Sequence, residues 1–351
     1  MSENAKVRPV NDVLELRIPT DALRAWVAAV LAACGVDDAD ATLAGRELVR
    51  ANLRGADSHG VSRLPVYARL LRAGVMTARP NTVIEEQAGL LHLHADRGLG
   101  QVAGTRAVNE AIARLQSAAT CTIVLHRVGH LGALGVLALQ LAEAGMIGLV
   151  LQNGPAVMAM PGATAAAIGN NPLAFGAPIA GGPPLVVDFA SSLVAFGRII
   201  DSARAGAPLS PGWALDATGA PTLDAAAALH GGMLSPLAGH KGIGLAMIVE
   251  VLAGSLSGVR PPAVQGATLP GEFGGFIYAL NPALINAGFV AHVAEWLHIY
   301  HAAGPDTRYP GERGAQSEAQ REANGVPVSA PVLAELAALA AELGLQPPLA
   351  S

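Results

Sequence analysis

Two cysteines in 351 residues, Cys34 and Cys121, are too few and too far apart to build a disulfide framework. Their helix- and strand-like surroundings point to a reduced, cytoplasmic setting. Charge is scarce too. Only 14% of residues are charged, the net charge is −5 and no basic run occurs, which argues against a nucleic-acid partner. Hydrophobic residues reach 52%, but much of that is alanine, and no run of about 18 uncharged apolar residues exists to span a membrane. The nearest stretch, Gly242 to Gly254, is interrupted by Glu250 and reads as a buried helix. Charges at Glu3, Lys6 and Arg8, with no apolar signal core, predict no export. Histidines 92, 94, 292, 298 and 301 lack matching cysteine or carboxylate clusters, so no metal site is expected. There are no internal repeats. The 41 glycines and 24 prolines are spread through the chain as turns and do not form a linker. The length suits two domains, or one large domain with elaborations.

Apolar periodicity predicts, after a short extended piece (Val13 to Ile18), a helix capped near Thr20 and stopped near Gly35. A second helix is predicted from about Asp38 to Leu53, and a third over Val66 to Arg72. Leu90 to His94 alternates like a strand, Ala103 to Gln116 is an amphipathic helix, and Thr122 to Leu125 is a buried strand. Gly98-Leu99-Gly100 sits between the first strand and that helix, as in a dinucleotide fingerprint. The third glycine, however, is Gly104, one place late, and His126-Arg127 replaces the acidic residue, so a structural turn is expected. Further on come a helix (Val136 to Ala144), a strand (Ile147 to Gln152), a long irregular stretch (Asn153 to Pro178) and a strand (Leu185 to Phe189). A helix is predicted from Ser191, a short one near Leu223 to Leu229, and a long buried one opening at Gly239. A strand (Phe276 to Leu280), a helix (Ala291 to Ala303), a charged turn (Arg308 to Arg313) and a closing helix (Val332 to Leu343) complete the chain.

The polar chemistry concentrates in Arg54 to Tyr67, RGADSHGVSRLPVY. His59, between Ser58 and Gly60, is a candidate general acid/base, because imidazole titrates near neutral pH; the blander alternative is an ordinary histidine at a helix–loop junction. Arg63, four residues on, could grip a carboxylate bidentately or merely form a surface ion pair. His130, in GHLGALG, sits at a strand–helix junction, where ligands often bind; a satisfied loop histidine is equally open. Asp188 ends an apolar strand, where a carboxylate must be hydrogen-bonded or paired; it could cap the following helix or orient a catalytic histidine. His240-Lys241-Gly242 opens a helix whose N-terminus suits a cofactor phosphate, or simply packs closely. No Gly-x-Ser-x-Gly elbow surrounds Ser58, so a serine hydrolase is disfavoured.

In this order, RGADSHGVSRLPVYARLLRAG, GHLGALG, AGMIGLVLQNGPAVMAMPGA, IGNNPLAFGAP, VVDFASSLVAFGR, GWALDATGAPT, GHKGIGLAMIVEVLAG and YPGER resemble the malate/L-lactate dehydrogenase family over roughly residues 20 to 330. That family includes sulfolactate, ureidoglycolate and diketogulonate oxidoreductases and is distinct from the Rossmann-type lactate and malate dehydrogenases. The resemblance implies an α/β fold. A mixed-sheet, non-Rossmann nicotinamide-binding domain (121–314) is inserted into a mainly helical N-/C-terminal domain (1–120 plus 315–351) carrying the Ser-His-Gly motif. It implies His59 as proton donor and acceptor, Ser58 and Asp188 as its hydrogen-bonding partners, and Arg63 and His130 as substrate-binding residues. On the cofactor side it implies Asn170, then Pro184, Leu185, Val186, Val187, Asp188, Phe189 and Ala190, with His240, Lys241, Gly311, Glu312 and Arg313.

The expected activity is NAD- or NADP-dependent hydride transfer at C2 of a small 2-hydroxy/2-oxo acid, such as malate, lactate, sulfolactate or a ureidoglycolate-like compound. The protein is expected to be a homodimer or higher homo-oligomer. The chain departs from the family pattern at Asn170, where threonine is usual, at Arg198 for lysine, and at His240, where many dehydrogenases carry tyrosine. Imine-reducing members share that last histidine, so reduction of piperideine- or pyrroline-2-carboxylate is the alternative within the family. A non-catalytic binding protein is the alternative from another class, disfavoured by the intact Ser58, His59 and Asp188.

Overall fold

Ile123 to Leu125 within strand Thr120–Val128, and Phe276 and Ile277 within strand Phe273–Leu280, are consecutive buried apolar residues, as at the middle of a sheet covered from both sides. In the computed structural model, which describes residues 16–261 and 272–348, these two strands pair antiparallel at the centre of a seven-stranded sheet. Its order is Val83–Gln87, Leu90–His94, Thr120–Val128, Phe273–Leu280, Ile147–Gln152, Leu173–Ala177, Leu185–Phe189. Only Leu90–His94 with Thr120–Val128 is a parallel pair, so the sheet is mixed and the fold α/β. Residue 120, the expected domain boundary, opens the third strand of this sheet, and the two strands before it pair on to it.

Helices Gly100–Arg114 and Leu134–Glu143 cover one face through Ala107, Leu115, Leu137 and Leu141. Val249 and Ala253 cover Val124, Leu151 and Phe276 on the other. A separate helical core joins the ends of the chain. Thr20–Ala33, Asp38–Leu53, Leu64–Arg72 and Ala330–Glu342 meet through Leu23, Val27, Leu31, Leu48, Leu64 and Leu336. Leu48 is 1% exposed, and truncating such a leucine to alanine costs roughly 2–5 kcal/mol. Strand Leu16–Ile18 ties the start to Val326–Val328, near the end.

The structure corrects several expectations. Within the supposedly irregular 153–178 stretch, Leu173–Ala177 is a sheet strand; its alternation is masked by small residues, since a Cβ at Gly176 would lie 2.2 Å from the Ala138 carbonyl of the covering helix. Val83–Gln87, exposed throughout, carries no apolar alternation and was not foreseen. The helix after Asp188 starts at Phe196, because Ser191 is buried and hydrogen-bonded to Asn171 in a loop. The helix from His240 turns into a π-helix over Glu250–Ser255, and Met247, Ile248 and Val251 are more than half exposed, so it is not buried all round. Helix Glu312–Asn324 was unforeseen because it is polar on every side; it is held by Arg50 and Arg54 to Glu318 and by Arg24 to Glu322. The N-terminal extended piece begins, among the described residues, at Leu16; 13–15 lie outside them. No helix among the described residues is long and apolar enough to cross a membrane.

Candidate active site

The helix Asp38–Leu53 delivers the chain into two tight 3-10 turns, Asp57–His59 and Val61–Arg63. Asn52 organises both. Its Oδ1 accepts the Val61 amide at 2.8 Å and its Nδ2 donates to Asp57 Oδ1 at 2.7 Å. A Cβ on Gly60 would lie 2.0 Å from Asn52 Oδ1, so only glycine fits beside the histidine. Ser58 Oγ lies 3.0 Å from His59 Nδ1, which leaves Nε2 as the ring's free nitrogen.

His130 is brought to the same place by a loop that Gln152 fixes, accepting from the Leu131 amide and donating to the Gly129 carbonyl. The Gly98–Gly100 turn packs against this loop; a Cβ on Gly100 would meet the His130 carbonyl at 2.2 Å, so its glycines serve close packing, as expected. The His59 and His130 rings stack with centroids 5.6 Å apart. Tyr67 Oη is 2.8 Å from His130 Nδ1 and accepts from Gln101 Nε2 at 3.0 Å.

Arg63 is half-buried beside them; among the described residues no carboxylate pairs with it, and its Nε is buried without an acceptor. Both imidazoles are therefore held neutral. Burial first and the Arg63 charge second pull His59 down to about 4. Burial, then His59 and Arg63, hold His130 well below the ordinary histidine value.

Asp188 and His59 make no hydrogen bond. The turn at Ala133 and Val136 faces His59 on one side and Asp188 on the other. Asp188 Oδ2 instead accepts the Gly135 amide at 2.8 Å, so it caps the preceding helix Leu134–Glu143 and not the one that follows it. Asp188 lines an open cleft, but the protein walls around its carboxyl push it up to about 6, opposed by the Gly135 hydrogen bond.

That cleft, of about 680 Å³, is walled by Ala56, Gly135, Val186, Val187, Asp188, Pro310 and Gly311, with Arg54, Arg308 and Arg313 along it. Gly311, at φ +113°, lies so close to the Leu185–Phe189 strand that a Cβ would be 2.3 Å from the Pro184 carbonyl. Arg308 and Arg313 are exposed with no ionic partner among the described residues, which suits a ligand bearing phosphates. Glu312, by contrast, is committed to the turn, accepting the Tyr309 amide and facing His301.

Asn170 reaches the end of the same strand, its carbonyl accepting the Ser191 amide beside Ala190. His240 and Lys241 do not line this cleft; they stand exposed at their helix start, and their side chains make no hydrogen bond among the described residues. Among the described residues no group of histidine, cysteine or acidic side chains could hold a metal ion. Sequence reasoning missed Asn52, Asp57, Tyr67, Gln101 and Gln152 as parts of the site. Tyr67 lies one helical turn after Arg63, and that spacing was a usable signal.

The sequence pattern of the Malate/L-lactate dehydrogenase family matches residues 18–337. The chain is 30% identical to a malate dehydrogenase of Pyrococcus horikoshii, covering 94% of this chain and 96% of that one. It is 33% identical to a Delta(1)-pyrroline-2-carboxylate/Delta(1)-piperideine-2-carboxylate reductase of Pseudomonas putida, covering 90% and 94%. Among solved structures, a dehydrogenase from Sinorhizobium meliloti superposes with a TM-score of 0.85 at 30% identity, over 93% of this chain and 98% of that one.

Proposed function

The chain belongs to the malate/L-lactate dehydrogenase family and is an NAD(P)-dependent oxidoreductase; on that premise we propose that it acts on C2 of a small 2-hydroxy/2-oxo acid. The observation carrying this substrate class is Arg63, whose guanidinium has no carboxylate partner among the described residues and lies beside both histidines. Arg63 grips the substrate carboxylate. Ser58 holds Nδ1 of His59, so the proton moves at Nε2, taken from the substrate hydroxyl on oxidation and returned to the oxo oxygen on reduction. His130 shares the substrate pocket by stacking on His59. The dinucleotide, when bound, accepts or supplies the hydride. Arg308 and Arg313 hold its phosphates, Pro184 to Ala190 and Gly311 form the wall it lies against, and Asp188 orders that wall through Gly135. Asn170, His240 and Lys241 belong to the cofactor side in the same proposal, with Glu312 bracing the Gly311 turn.

The apolar stripe Met247, Ile248 and Val251, together with Trp296 and Ile299, all more than half exposed, supports a homodimer or higher homo-oligomer that covers it. The buried free thiols Cys34 and Cys121 accord with a cytoplasmic setting.

The test is NADH and NADPH oxidation with pyruvate, oxaloacetate and ketopantoate, set against piperideine-2-carboxylate. Turnover of an oxo acid supports the proposal. Turnover of the imine alone would establish the second reading, imine reduction, which His240 ahead of Lys241 favours.

A further inference from the structure

Tyr67 and Gln101 are deeply buried polar side chains beside the candidate site, 2% and 3% exposed, and neither has a place in the proton or hydride path described above. Their hydrogen bonds have a direction that can be worked out. A phenol has one proton to give and two lone pairs with which to accept. Gln101 Nε2 donates to Tyr67 Oη at 3.0 Å. The Arg63 guanidinium, which can only donate, faces the same oxygen. Since neither an amide NH2 nor a guanidinium can accept, the single Tyr67 proton goes to the remaining neighbour, His130 Nδ1, at 2.8 Å. The opposite amide orientation of Gln101 would turn two buried N–H groups to the side where its Oε1 now finds no partner, and a buried donor without an acceptor is costly.

We propose that Tyr67 and Gln101 are positioning residues that lock His130 in the tautomer with its proton on Nε2, making it a fixed hydrogen-bond donor to the substrate. The two stacked imidazoles thereby divide the work. His59 exchanges a proton, and His130 donates a hydrogen bond without giving its proton up. Which ring nitrogen carries the proton is set by what the other one bonds.

The substrate part of this proposal rests on the 2-oxo acid reading, but the tautomer does not, because it is measured without substrate. The experiment is long-range 1H–15N correlation on the full-length protein with 15N-labelled histidine, the His130 signals being identified by their loss in His130→Gln. The expected result is a neutral Nε2–H ring in the unaltered protein. Gln101→Glu, whose carboxylate accepts from Tyr67 and leaves its oxygen to accept from the ring, should turn His130 to the Nδ1–H form. Tyr67→Phe should leave the tautomer unfixed and lower kcat about a hundredfold, with a smaller change in KM, on whichever substrate the panel identifies. A His130 that carries its proton on Nδ1 in the unaltered protein, or a tautomer indifferent to Gln101→Glu, overturns the proposal. Failure of every oxo acid in the panel, with the Nε2–H form observed, would count against the substrate class and leave the tautomer lock standing.

Discussion

Arg321 and Asp57, 264 residues apart in the chain, meet in a two-point contact, Nη1 to Oδ1 at 2.7 Å and Nη2 to Oδ2 at 3.2 Å. Asp57 immediately precedes Ser58 and His59, and its Oδ1 also accepts from Asn52. The polar helix near the C-terminus thus braces the turn that carries the candidate acid/base from behind.

Arg321→Ala should consequently affect turnover more than stability. Because Asp57 is half exposed, the pair contributes no more than about 1 kcal/mol to folding. The turn it steadies sets the His59 geometry, and kcat should fall about tenfold or more, since small displacements of a catalytic group are expensive. Thermal unfolding and steady-state kinetics on the same variant check both halves; equal losses in each would contradict the bracing role.

Arg63→Ala should raise KM for the carboxylate substrate and lower kcat/KM by about tenfold to a hundredfold, the loss expected for a charge-assisted hydrogen bond of about 1.5–3 kcal/mol. Arg63→Lys should recover only part of it, because a lysine cannot reproduce the bidentate grip. NAD(P)H affinity, read by fluorescence titration, should be unchanged in both.

The pH dependence follows from His59. Its pKa is pulled down to about 4, so the free enzyme holds it neutral at pH 7. Oxidation requires that neutral base, so kcat/KM for the hydroxy acid should rise through about pH 4 and be flat near neutrality. Reduction requires the protonated ring. A bound carboxylate neutralises the Arg63 charge, one of the two causes of the depression, so the ring's pKa should be higher in the complex. In the reductive direction kcat should therefore fall with rising pH at a higher pH than kcat/KM does. Coincident profiles would show that Arg63 and the substrate carboxylate do not meet.

Ile248→Asp should dissociate the assembly. Met247, Ile248 and Val251 lie on one helix face and are 55%, 55% and 60% exposed in the single chain, so a carboxylate in the middle of the stripe would have to be buried at any interface using it. Light scattering coupled to gel filtration should report the unaltered protein as a dimer or larger and the variant as a smaller species. An unaltered protein that runs as a monomer disposes of the proposed interface.

Gly311→Ala should weaken cofactor binding and stability together. At φ +113° with the Pro184 carbonyl 2.3 Å from a built Cβ, any side chain forces the 308–313 turn off the Leu185–Phe189 strand. NAD(P)H titration and thermal unfolding check it.

The sequence alone determined which segments are apolar on one face or two, and so the central strands and most helices; the mixed α/β class came from its resemblance to the malate/L-lactate dehydrogenase family. The sequence also placed Ser58, His59 and Arg63 in one short segment, because that proximity is local. What it left dark were elements without apolar periodicity. Glu312–Asn324 is held by ion pairs to Arg24, Arg50 and Arg54, and the exposed strand Val83–Gln87 by backbone pairing to Leu90–His94 and by contacts of Glu85 with His94 and Glu86 with Arg114. Only the tertiary structure decided that His130 stacks on His59, that Tyr67 and Gln101 stand behind it, and that Asp188 bonds Gly135 and not His59. Each of these is a contact between segments far apart in the chain. Residue type and local spacing limit what a side chain can do; which partner it finds depends on how the sheet and helices bring distant backbone together.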